Sequence, residues 1–228
     1  MGSFFLKNTH IAIIGDIKDS RKIANRSEVQ SRLKMVLDGI NHGYDDDIAS
    51  KFIITLGDEF QGLLCEGSNT MKIISEIEMK MHPIRLRFGV GIGEITTEID
   101  KEMSLGADGP GYHKAREAIS YLKENERKKS TYSADIKFET ESGNDVPIRL
   151  VNTILVLMTV IKDSWSDRQW EIIGDMFGHQ DTQADAAKRL GIRQPAVQKS
   201  LASGKYYAYC DALDAIGEAL EGIRRRDG

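Results

Sequence analysis

One stretch restricts the possible folds more than any other: Leu56-Gly57-Asp58-Glu59-Phe60-Gln61-Gly62-Leu63-Leu64. An apolar, β-branched run, Phe52-Ile53-Ile54-Thr55, leads into it, and Leu63-Leu64-Cys65 continues it. Gly and Asp tolerate the left-handed backbone of a tight turn, so the pattern predicts a hairpin bent at Gly57-Asp58. Two carboxylates, Asp58 and Glu59, then stand at the tip. An earlier apolar run, Ile11-Ala12-Ile13-Ile14-Gly15, also ends in a carboxylate, Asp16. If the two strands are neighbours, Asp16 and Asp58 meet at one end of a sheet. Paired acidic oxygens there suit a hard cation such as magnesium or manganese. Taken singly, each Asp would be read as the cap of a turn.

The continuous apolar run 11–15 predicts a strand covered on both faces. The polar loop Asp16-Ile17-Lys18-Asp19-Ser20-Arg21 follows it. Val29, Leu33, Val36, Leu37 and Ile40 recur at helical spacing, as do Ile73, Ile74, Ile77 and Met81. The acidic run Asp45-Asp46-Asp47 is expected to be a solvated loop. Ile84, Leu86, Phe88, Val90 and Ile92 alternate with Arg85, Arg87, Gly89 and Gly91, which is the period of a strand. Glycines on one face imply that a helix or a ligand approaches that face closely. Arg85 and Arg87 are either solvated or a phosphate clamp. The loop 106–111 leads into a helix from about Tyr112 to Lys123. A strand near 135–139 and a long buried helix over 148–161 follow. The order strand, helix, hairpin, helix, strand predicts an α+β, ferredoxin-like sheet of the split β-α-β kind, with helices on one face.

The C-terminal part changes character. A helix over 165–178 presents Trp170, Ile173 and Phe177 on one face. After it, Thr182 caps a helix, Ala187 leaves room for a crossing helix, Gly191 turns the chain, Pro195 starts a further helix and Val197 anchors it. That spacing is the frame of a small all-α helix-turn-helix domain. Within 182–205 five basic residues stand against one acidic, an excess that a phosphate backbone attracts. Arg193, Gln194, Gln198, Lys199 and Lys205 are the candidate DNA contacts. The tail Arg224-Arg225-Arg226 is a further candidate for phosphate. The expected organisation is a sheet domain over 1–145, a connecting helix over 146–163 and the helix-turn-helix domain over 164–228.

Gly15-Asp16-Ile17-Lys18-Asp19-Ser20-Arg21 together with Gly57-Asp58-Glu59-Phe60-Gln61-Gly62-Leu63-Leu64 resembles the SatD family, over essentially the whole chain. More broadly, strand-Asp-Ile, helix, strand-Gly-Asp is similar to class III nucleotide cyclases and to the diguanylate cyclase (GGDEF) palm. There, two carboxylates hold metal ions against a nucleoside triphosphate. The resemblance implies a metal site at Asp16, Asp58 and Glu59, holding magnesium or manganese. It also implies nucleotide contacts from Ile17, Asp19, Ser20, Arg21, Gly57, His113 and Arg116. Gly89-Val90-Gly91-Ile92-Gly93-Glu94 and Gly109-Pro110-Gly111-Tyr112-His113-Lys114-Ala115-Arg116 are similar to two further cyclase segments. The departures are specific. The position of the ribose-orienting Asn holds His113, that of the transition-state Arg holds Glu117 beside Arg116, and Asp19 adds a carboxylate where phosphates would lie. The resemblance also implies a homodimer.

Composition narrows the partners. With 228 residues, a net charge of −4, 40% apolar and 29% charged residues, the chain has an ordinary core and no global affinity for polyanions. Cys65 and Cys210, far apart, are expected to be reduced thiols. The N-terminus lacks a signal-peptide pattern, and the longest apolar run, 154–161, is too short for a bilayer, so a cytoplasmic protein without membrane contact is expected. Three functions remain compatible with these features. They are a nucleotide- and metal-binding regulator that also binds DNA, an active cyclase or nucleotidyltransferase, and a catalytically silent adaptor.

Overall fold

The computed structural model describes residues 9–128, 134–141 and 146–221. The basic tail 224–226 and the expected domain boundary at 145 lie outside them. In chain order the elements are β1 (Thr9–Ile17), α1 (Arg26–Gly43), β2 (Ile48–Leu56), β3 (Glu59–Leu64), α2 (Thr70–Met81), β4 (Leu86–Glu94) and α3 (Pro110–Arg127). β5 (Ile136–Thr140), α4 (Val146–Asp163), α5 (Asp167–His179), α6 (Gln183–Arg189), α7 (Gln194–Ser203) and α8 (Tyr206–Leu220) complete the set. The fold is α+β. Its sheet has the order β2-β3-β1-β4-β5. The first four strands are antiparallel, and β5 joins β4 in parallel. No helix among the described residues is long and apolar enough to cross a membrane.

β1 is buried along its whole length because both of its faces are covered. Ile11, Ile13 and Ile17 face α1 and α2, against Leu33, Leu37, Ile40, Ile74 and Ile77. Ala12 and Ile14 face the other way, against Tyr112, Ala115 and Ile119 of α3. Each such Ile or Leu, fully buried, contributes about 1.5–3 kcal/mol of hydrophobic stabilisation. The expectation of helices on a single face is therefore corrected. Among the described helices α3 alone lies on the second face, and the glycines of β4 explain how it gets there. A Cβ at Gly91 would sit 1.9 Å from the Gly111 carbonyl oxygen, and one at Gly89 would sit 2.3 Å from that of Ala115. The glycine face of β4 is thus filled by a helix lying backbone to backbone on the sheet. Gly109, at φ 150, makes the bend before Pro110 starts α3.

The C-terminal helices follow local rules. Ser166 and Gln169 form a reciprocal capping box on α5, and the Thr182 hydroxyl accepts from the Asp185 amide at the start of α6. Gly191, at φ 64, turns the chain between α6 and α7, while Ala187 and Val197 are buried at the crossing. Trp165 donates its indole N–H to the Gly204 carbonyl at 2.6 Å. One apolar cluster runs without a break from the sheet through α2 and α4 to Trp165, Ile173, Val197, Tyr209 and Leu213.

Candidate functional site

Where β1 ends, the molecule is hollow. A cleft of about 1000 Å³ opens between the end of β1, the 19–22 turn, the first turns of α1, the β2–β3 tip and the last turns of α3. Register brings its acids together, since Asp16 lies opposite Glu59 on β3 and opposite Arg87 on β4. The Ile17 amide donates to the Asp58 carbonyl at 3.1 Å. Gln30 donates its side-chain amide to the Gly57 carbonyl at 2.6 Å. β1 and α1 together therefore fix the tip of the hairpin.

Asp16 is 5% exposed. Its Oδ2 lies 3.1 Å from Lys123 Nζ and 3.5 Å from Arg87 Nη1. Burial pushes its carboxyl above the ordinary range; the two cations oppose that rise, and the nearby charge of Asp58 adds to it. Arg87 also holds Glu126 at 3.0 Å, while its buried Nε has no hydrogen-bond partner among the described residues. Asp58 is half-buried. Glu59 is tied to Arg116 at 2.5 Å. Asp19, in left-handed backbone, turns to Lys22 at 3.0 Å. The hydrogen bond and charge of that ammonium hold its carboxyl below the usual range.

Ile17, Asp19, Ser20, Arg21, Gly57, Asp58 and Glu59 thus share one cleft with Asp16. His113 does not. It pairs with Asp108 at 3.0 Å, and with Arg116, Glu117 and Tyr121 it borders a separate shallow depression on α3. Arg116 reaches the cleft only through Glu59, and Glu117 is paired with Lys114 at 2.8 Å. Sequence reasoning missed Lys22, Arg26, Gln30, Lys123, Glu126 and Arg127, all of which line the cleft. For Lys123 and Glu126 a signal existed. Lys123 and Glu126 follow the buried Ile119 by four and seven residues, on the helix face that meets the sheet.

The donor set limits what can bind. Among the described residues, no three His, Cys, Asp or Glu side chains gather closely enough to cage a metal ion. Two carboxylates fit a cation that completes its shell from phosphate oxygens and water, provided Lys123 yields Asp16 Oδ2. The lining carries Arg21, Lys22, Arg26, Arg87, Lys123 and Arg127 against Asp16, Asp19, Asp58, Glu59 and Glu126. With six cations against five carboxylates, the lining of the cleft is nearly neutral.

On the far helices, Arg193, Gln194, Gln198, Lys199 and Lys205 are all exposed. Val197 and Leu201 turn inward from the same helix, α7. Arg189, counted among the basic residues of this segment, is bound to both Asp175 and Asp181.

A family model described as the SatD family matches residues 10–215. None of the curated proteins matches the chain. Among solved structures, the crystal structure of a regulator of polyketide synthase expression from Bifidobacterium adolescentis is similar at 13% identity. The match covers 94% of this chain and 86% of that one, at a TM-score of 0.28, which is too low to carry an argument.

Proposed function

Because the chain belongs to the SatD family, we propose that it is a cytoplasmic regulatory protein with two linked activities. A cyclase-like palm binds a nucleoside triphosphate with magnesium or manganese at Asp16 and Asp58. A helix-turn-helix built from α6 and α7 binds DNA through Arg193, Gln194, Gln198, Lys199 and Lys205. The observation that carries the reading is the meeting of Asp16, Asp58 and Glu59 with six cationic side chains around one cleft. The strand order β2-β3-β1-β4, which is that of a split β-α-β sheet, supports the palm. The orphaned Arg87 Nε supports an anionic ligand, since a buried donor without an acceptor is costly. Binding is favoured over turnover. His113 and Glu117 occupy the positions of the cyclase Asn and Arg, and they pair with Asp108 and Lys114 away from the cleft.

Thermal unfolding with each nucleoside triphosphate, with and without magnesium or manganese, tests the palm. A ligand at a hundred times its dissociation constant adds about 2.7 kcal/mol. Asp58→Asn should remove the metal-dependent share of that gain while leaving the unliganded transition in place. No shift with any nucleotide–metal pair would end the reading. Electrophoretic shift on genomic fragments tests the helices, and no retardation at low salt would remove DNA from the account.

A further inference from the structure

α4 is apolar on both sides. Ile148, Val151, Leu155 and Met158 are buried against the rest of the protein. On the opposite side Val146, Leu150, Leu157 and Val160 are 57%, 60%, 58% and 44% exposed, and Thr153 is exposed between them. The five positions follow each other at intervals of four, three, four and three residues, which is the heptad seam of a two-helix coiled coil. They also read the same in both directions: Val, Leu, Thr, Leu, Val.

We propose that this seam is a homodimer interface, in which α4 of one copy packs antiparallel on α4 of a second copy about a two-fold axis at Thr153. In that arrangement Val146 meets Val160, Leu150 meets Leu157 and Thr153 meets itself, the self-complementarity that an isologous contact requires. The opposed macrodipoles of the two helices favour antiparallel over parallel pairing. The Thr153 hydroxyl already donates to the Arg149 carbonyl at 2.9 Å, so covering it strands no donor. A membrane surface is the poorer occupant. Arg149 is the one basic residue exposed on α4, and an interfacial helix needs a cationic polar face. Eighteen residues span about 27 Å, which places the buried area near the low end of the roughly 1,200–2,000 Å² of stable interfaces. The dimer should therefore dissociate on dilution. The interface is independent of the nucleotide cleft. It would also relate two copies of α6 and α7 by a two-fold axis, as palindromic DNA requires if the DNA reading holds.

Sedimentation equilibrium of the full chain over a wide concentration range tests the proposal. The expected mass rises from 25.5 kDa towards twice that value. Leu150→Glu should hold the chain at the monomer mass at every concentration, with an unchanged circular dichroism spectrum because the side chain is exposed. A wild type that stays monomeric, its seam covered by another segment of its own chain, overturns the proposal, as does a Leu150→Glu variant that still dimerises. Orientation is read by oxidation in a Cys65→Ser, Cys210→Ser background. Leu150→Cys should cross-link to Leu157→Cys in a mixture and not to itself; a Leu150→Cys homodimer overturns the antiparallel arrangement.

Discussion

Lys162 is 3% exposed, yet it carries a charge. It can do so because Glu78 Oε1 lies 2.5 Å away and Asp135 Oδ2 lies 3.8 Å away. Burial alone would lower the ammonium pKa; the two carboxylates outweigh it and hold the group above its ordinary value. Burial pushes Glu78 the other way, above the usual carboxylate range, with Lys162 opposing. The pair is therefore a mutual dependence more than a source of stability, because desolvating two charges offsets most of their attraction. Lys162→Met should cost about 3–5 kcal/mol, since it leaves Glu78 buried and unpaired. Adding Glu78→Met should recover most of that loss. Urea denaturation of the single and double variants measures both, and a single variant as stable as wild type would refute the dependence. The pairing was hidden in the sequence. Glu78 and Lys162 are 84 residues apart, and each sits in a helix where a charged residue ordinarily faces water.

At the scale of elements, the contact between β4 and α3 decides where the cleft is. The alternation from Ile84 to Ile92 made the strand legible, and the glycines at 89 and 91 announced a close approach. What approaches could not be read locally, because a helix backbone and a bound ligand make the same demand on a bare strand face. The same ambiguity hid Lys123. Its place on a helix was expected, but its nearness to Asp16 depends on which sheet face that helix chooses. Gly91→Ala puts a methyl group against the α3 backbone at Gly111 and Ala115, where no rotamer change can relieve it. A loss at or above about 3 kcal/mol is expected, the upper end for an overpacked core. Chemical denaturation followed by circular dichroism checks this. A loss below about 1 kcal/mol would mean that α3 can lift without consequence. The hairpin was read well for the opposite reason, since Gly57 and Asp58 state their turn within four residues.

At the scale of the whole molecule, the change in composition near 164 suggested two domains, while the apolar cluster spans both parts. α8 packs on α2 and α4, and α5 packs on α2; these faces involve residues too distant for any periodicity to reveal. A chain with one continuous core should unfold in one step. Both tryptophans, Trp165 and Trp170, lie in the helical part, and Trp170 stacks on His82 of the sheet part at 4.5 Å, so indole fluorescence reports the helices and their contact with the sheet, whereas far-ultraviolet circular dichroism reports the whole. The two signals should share one midpoint in urea; separate midpoints would mark two independently folding units. Ion pairs tie the connecting helix α4 to the sheet part. Lys18 holds Asp135 and Glu126, and Asp135 in turn lies beside Lys162 of α4. The bare seat of α3 has a further consequence for ligand entry. Where α3 crosses Gly89 and Gly91 it rests on the strand backbone, and that contact cannot creep or re-pack by degrees. Lys123 is carried to Asp16 on a strut, not a hinge. If a metal binds at Asp16 as proposed, Lys123 can leave only by swinging its own side chain, so entry would cost the Asp16–Lys123 ion pair and leave the scaffold where it was.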